Sequence, residues 1–125
     1  FVTPNEIEAE QITGIPVKSI NDAEIAAGKL IEKGASAAVI TLGEQGALFK
    51  DNNQIIHQPS YQVGHVVETT GAGDAFNGGL AVALAEEMPI DKALRFACAT
   101  ASISVTRQGT APSMPDRHEI DTLLN

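Results

Sequence analysis

The run VVETTGAGDAFNGGLAVALAEE, residues 66 to 87, restricts the fold more than any other stretch of this sequence. An apolar pair passes into two threonines, then Gly71-Ala72-Gly73, then a segment with Phe76, Leu80, Ala83 and Leu84 at helical spacing. That order reads as strand, glycine turn, helix. A loop at the carboxyl end of a strand and the amino end of a helix is where open α/β sheets bind ligands. The unbonded N–H groups of the first helical turn, with the positive end of the helix dipole, attract anions there. The glycines let backbone approach a ligand with no Cβ in between. Asp74 keeps two readings open. It is either an acid that stabilises the start of the helix, or an acid beside an anion hole that takes a proton from a hydroxyl nucleophile.

The remainder of the chain alternates in the same way. FVTPNEIEAEQITG is the end of a strand, a turn at Pro4-Asn5 and a short helix stopped by Gly14. SINDAEIAAGKLIEKGA offers Ser19 and Asn21 as caps, Ile25, Ala26, Leu30 and Ile31 at helical spacing, and Gly34 as a stop. SAAVITLG is an unbroken apolar run that fits a strand buried on both faces. A hairpin is expected around Asp51-Asn52-Asn53, then one more strand through Val63, Val66 and Val67. Three helices finish the pattern: Gly73 to about Glu87, Asp91 to about Arg107, and Asp116 to Leu124. The alternation predicts a layered α/β/α sandwich with a largely parallel sheet. Aromatic residues make up 4% of the 125 and there is no Trp, so the core must be built from Ala, Ile, Leu and Val.

Charge and composition exclude several partners. A net charge of −8 and a pI near 4.7 argue against nucleic acid, whose binding depends on clustered Lys and Arg. The lone Cys98 excludes an internal disulfide framework, and no apolar run approaches the ~18–20 residues of a membrane span. A cytoplasmic, membrane-free protein is expected. The chain starts at Phe1 inside what reads as a strand, so a piece of something longer is also expected. No Walker loop is present, because no Lys follows a glycine pair at the required spacing, and the G-x-G at residue 71 runs on to Phe76 rather than completing a dinucleotide fingerprint. His57, His65 and His118 share no metal-ligand spacing and read as structural or solvated.

ETTGAGDAFNGG resembles the D-T-x-G-A-G-D-x-F signature of the ribokinase, or PfkB, family of carbohydrate kinases. TPNEIEAE at residues 3 to 10 resembles that family's N-x-x-E segment, ITLGEQGALF at 40 to 49 its T-x-G-x-x-G nucleotide segment, and TRQGTAPSMP at 106 to 115 its C-terminal cation loop. The resemblance implies the ribokinase-like fold and phosphoryl transfer from ATP to a sugar hydroxyl. D-ribose is the first expectation, with fructose, deoxygluconate and nucleosides as alternatives, and a non-catalytic nucleotide-binding module is the alternative from another class. It implies Asp74 as base and the amides of Gly71, Ala72, Gly73 and Asp74 as the anion hole. It further implies Asn5 and Glu8 as the pair that orients magnesium-bound water and phosphates. Thr41, Gly43 and Gly46 would stand on the nucleotide side, and Cys98 beside the adenine. Without the resemblance, Asn5 and Glu8 read as a helix cap and its acidic first turn, and Thr41 to Gly46 as an ordinary strand turn.

Potassium is a further cofactor implied by the family. Glu68 and Thr70, the carbonyls of Val105, Gln108 and Thr110, and the Ser113 hydroxyl would surround it, with Glu68 one methylene longer than the family's usual Asp. Family members run to roughly twice this length. The resemblance therefore implies that 1–125 is the C-terminal, ATP-binding and catalytic portion, that the sugar-binding portion and lid lie outside it, and that the piece alone turns over little sugar. A homodimer of the full-length protein is expected through that lid.

Overall fold

The computed structural model describes residues 2–61, 71–106 and 116–124. It divides into two compact units, Phe1–Pro59 and Ser60–Asn125. The strand expected through Val63, Val66 and Val67, with His65, lies outside the described residues.

The first unit is organised around one fully buried strand. In β1 (Ala37–Thr41) the central Ala38, Val39 and Ile40 have no exposed surface, as an unbroken apolar run requires. β2 (Ala47–Asp51) and β3 (Ile55–Gln58) follow it as antiparallel neighbours, in the order β1-β2-β3. On the other side of β1 the N-terminal residues run parallel to it. Val2 donates to the Ala37 carbonyl at 3.1 Å, and Val39 and Thr41 donate to the carbonyls of Val2 and Pro4 at 2.9 and 3.1 Å. Among the described residues, parallel pairing is confined to this edge, and the named strands are antiparallel. Chain length explains the difference from a largely parallel sheet: residues 42–46 and 52–54 connect the strands, too short for the crossover that parallel neighbours need. The second of these turns forms where expected, with the Asp51 carboxylate accepting from the Asn53 and Gln54 amides at 2.8 Å each.

Two helices accompany this sheet. α1 (Glu6–Thr13) ends at Gly14, whose φ of 76° is the left-handed stop that glycine supplies without strain. α2 (Ile20–Glu32) is capped by Ser19, which accepts from the Asp22 amide at 3.1 Å. Its buried face is Ala23, Ala26, Ala27 and Leu30, the i, i+3, i+4, i+7 stripe of a helix laid on a sheet. These side chains join Ala9, Ala38, Ile40, Leu42 and Leu48 in one core. It is the aliphatic core that the composition predicts.

In the second unit, α3 (Ala72–Ala85) and α4 (Ile90–Ser104) pack against each other, and α5 (Arg117–Leu124) packs on α4. The α3–α4 approach is close. A Cβ at Gly79 would stand 2.7 Å from Thr100 Oγ1 and 3.2 Å from the Ala97 Cα. Thr100 keeps its hydroxyl satisfied by donating to the Phe96 carbonyl one turn back, at 2.8 Å. α5 is tied by Arg117. Its guanidinium donates to both Glu86 oxygens and to Asp121 Oδ1, and lies 4.9 Å from the centre of the Phe96 ring. The hydrogen bond from Arg117 holds the Glu86 carboxyl below the usual carboxylate range.

Gly79→Ala gains about 1 kcal/mol of helix propensity and meets an overpacking cost of about 1–3 kcal/mol against backbone that cannot move aside. The expected outcome is a lower midpoint in denaturant unfolding; a higher one would mean that α3 and α4 are not in contact at this residue. Glu86, with its lowered pKa, stabilises the fold above the carboxylate range and loses that contribution as pH falls through it. The stability difference between the natural protein and Glu86→Gln should therefore be full near pH 7 and shrink below about pH 4, and a difference independent of pH would contradict the ion pair.

Candidate functional site

The first unit gathers one group of candidate residues at the carboxyl end of β1. Asn5 forms a bridge with Thr41, so the start of α1 and the end of β1 are neighbours. Asn5 caps α1 through Oδ1, which accepts from the Glu8 amide at 2.8 Å, and Glu8 Oε1 accepts from the Asn5 amide at 3.0 Å. This is a reciprocal capping box, and it engages one of the two Glu8 carboxylate oxygens. Thr41 leads into Leu42 and a single 3₁₀ turn, Gly43–Gln45, closed by Gly46. Gly43 has φ 57° and Gly46 φ 90° with ψ −124°, conformations that other residues adopt only with strain. Glu6 Oε1 comes within 3.8 Å of where a Gly43 Cβ would stand. Of the predicted residues, Asn5, Glu8, Thr41 and Gly43 thus come together at this end of β1, and Gly46, which closes the turn, is buried.

The second unit carries the glycine turn. Gly71 has φ 88° and precedes α3, and its carbonyl accepts the first helical bond from Ala75 at 2.9 Å. The N-cap residue of α3, a glycine, has no side chain with which to cap the helix. Side-chain oxygens of Asn5, Ser19 and Asp116 accept from first-turn amides at the starts of α1, α2 and α5, whereas α4 opens on Pro89. The first-turn amides of Ala72, Gly73 and Asp74 have no acceptor within the helix, by helix geometry alone. Asp74 is exposed on that turn, and nothing lies within 4 Å of a Cβ built on Gly73. Gly71, Ala72, Gly73 and Asp74 thus begin a helix that has a glycine at its N-cap and an exposed acid in its first turn.

Cys98 is buried in α4, and burial pushes its thiol up to about 12, so it is no thiolate at neutral pH. Val105 is the C-cap of α4. Glu68, Thr70, Gln108, Thr110 and Ser113 lie outside the described residues. Among the described residues no three His, Cys, Asp or Glu side chains form a metal-ligating cluster, and no helix is long and apolar enough to cross a membrane. Two further groups stand beside the first surface: Glu6, which nothing in residue type or spacing marks, and His57, which reads from the sequence as structural or solvated and whose Nε2 stands 2.7 Å from the Gln45 carbonyl.

Comparison with known proteins gives these surfaces a context. The model of the pfkB family carbohydrate kinases matches residues 1–117. A ribokinase of Haemophilus influenzae is 43% identical over 121 residues, 95% of this chain and 39% of the relative. A deoxyribokinase of Salmonella typhi is 37% identical over 125 residues, all of this chain and 40% of the relative. Among solved structures, Arabidopsis thaliana ribokinase complexed with ribose and ATP superposes with a TM-score of 0.94 at 36% identity. That match covers 99% of this chain and 40% of the other. The fold is thus the ribokinase-like α/β fold, in part: the chain spans about two fifths of the length of these relatives.

The open first turn of α3 predicts the behaviour of Gly73→Val. With free space around the new side chain, the thermal unfolding midpoint should not fall, while a nucleoside triphosphate should bind at least about tenfold more weakly if its phosphates approach these amides. Unchanged affinity in a titration calorimeter would move the phosphates elsewhere.

Proposed function

The chain belongs to the pfkB family of carbohydrate kinases, and from that membership we propose that it carries the nucleotide-handling and catalytic portion of an ATP-dependent sugar kinase. D-ribose is the substrate to test first. The observation that carries this reading is the glycine-started α3, whose first-turn amides have no acceptor within the helix and whose first turn carries the exposed Asp74 carboxylate. Ribose is supported by the ribokinase relative, and the deoxyribokinase at comparable identity makes deoxyribose the control.

In this reading the transferred phosphoryl group lies against the amides of residues 71–74, whose fixed dipoles stabilise negative charge without reorganising. Asp74 receives the proton of the attacking sugar hydroxyl. Phosphoryl transfer needs alignment and charge neutralisation more than covalent assistance, so one base on a rigid helix is sufficient. Thr41, Gly43 and Gly46 serve the nucleotide, the two glycines because their left-handed backbone leaves no Cβ on the turn. Cys98 belongs to the adenine side as an inert packing group.

Two ions complete the proposal. Magnesium keeps most of its waters and takes few protein carboxylates. Asn5 and Glu8 would orient its water shell, Glu8 through the carboxylate oxygen that the capping box does not use. When bound, magnesium neutralises phosphate charge. For potassium, Glu68, Thr70, the Val105, Gln108 and Thr110 carbonyls and Ser113 are the proposed ligands.

Asp74→Asn in the natural protein should leave ATP affinity nearly unchanged and lower kcat by a factor on the order of 10²–10⁴, the usual share of a positioned base. A loss of less than threefold would remove Asp74 from that role, and absence of phosphorylation of ribose, deoxyribose, fructose, deoxygluconate and nucleosides by the natural protein would overturn the kinase reading.

A further inference from the structure

We infer that His57 is a positioning residue for the turn of residues 43–46, acting through the Gln45 carbonyl; the inference rests on the reading of that turn as the nucleotide side. The turn is held internally by three hydrogen bonds. Leu42 donates to the Gly46 carbonyl at 2.8 Å, Gln45 to the Leu42 carbonyl at 3.1 Å, and Gly46 to the Gly43 carbonyl at 3.1 Å. None of these engages the carbonyl of Gln45. That oxygen instead meets His57 Nε2 at 2.7 Å. A carbonyl only accepts, so the ring presents Nε2–H, as the neutral Nε2 tautomer or as imidazolium.

The consequence concerns one peptide unit. The plane joining Gln45 to Gly46 is held at its N–H end by Gly43 and at its C=O end by His57. Gly46, at φ 90° and ψ −124°, places little steric barrier against a flip of this plane, because glycine accepts either sign of φ. The His57 bond supplies the barrier that glycine lacks. The anchor is independent of the hairpin that makes the turn: His57 sits on β3, opposite Leu48 of β2, twelve residues from Gln45. Glu6, near Gly43, belongs to α1. The turn is therefore bracketed by two elements outside it. A turn held in one conformation binds its ligand without an ordering cost, so losing the anchor weakens affinity and leaves the chemical step alone.

The experiment is calorimetric titration of the natural protein with ATP and magnesium, together with amide hydrogen exchange at residues 43–46 and steady-state kinetics. His57→Leu should weaken ATP about five- to tenfold, speed exchange at the Gly46 amide and raise KM for ATP with kcat within about twofold. His57→Gln, whose amide nitrogen reaches the same distance from the backbone as Nε2, should restore all three, and His57→Asn, which is shorter, should not. Gly43→Val separates the two layers of the argument. If it weakens ATP while His57→Leu does not, the positioning role is overturned and the turn keeps its assignment. If neither changes ATP affinity, the turn is not the nucleotide side and both fall. Should His57→Leu fail to fold, equal affinity of the Gln and Asn variants overturns the inference by itself.

Discussion

Small side chains set the distance at which the helices of both units meet their neighbours. In the first unit Ala23, Ala26 and Ala27 of α2 share a core with β1 and β2. In the second, Gly79 faces Thr100 and Ala97 with no room for a methyl group. Bulkier residues there would push the elements apart and lose dispersion contacts across the whole joint, because interiors are packed at crystal-like density. Close packing also makes the scaffold stiff. Stiffness matters at the ends of these elements, where the candidate turns begin.

Each of the two candidate surfaces is a strand or helix terminus whose backbone groups are exposed by design of the local sequence. At β1, the parallel pairing of residues 2–5 brings the capping box of α1 alongside Thr41 and the Gly43–Gln45 turn. At α3, glycines take the place of the capping side chain that α1, α2 and α5 all possess. One surface spends its polar side chains on holding its own helix; the other begins its helix with a glycine, which has no side chain to spend. For a protein with a net charge of −8, an open helix terminus is a physically reasonable place to attract a polyphosphate, since local dipoles act where net charge opposes.

Much of this was legible in the residues. Gly14 as a helix stop, Ser19 as a cap, the buried run of β1, the Asp51 turn and the start of α3 all follow from local chemistry acting over a few positions. The capping box was legible too, and the structure realises it in full, which is why Asn5 and Glu8 have a role in the helix whatever else they do. The antiparallel pairing of β2 with β3 was legible as the hairpin around Asp51-Asn52-Asn53, whereas that of β1 with β2 was less so, because apolar runs mark strands without marking their direction. Loop length was the usable signal. His57 reads from the sequence as structural or solvated, and its partner, a main-chain carbonyl, is one that no side-chain pattern announces.

By itself the sequence determined where elements begin and end, which face of each helix is apolar, and that a glycine turn with an acid opens α3. Those are short-range properties, decided by φ preferences, caps and periodicity. Only the tertiary structure decided which termini became neighbours: Asn5 with Thr41, His57 with Gln45, Gly79 with Thr100, Arg117 with Glu86 and Phe96. These pairs are distant in the chain, and each depends on how close two packed elements can come, a quantity set by the volumes of all the side chains between them.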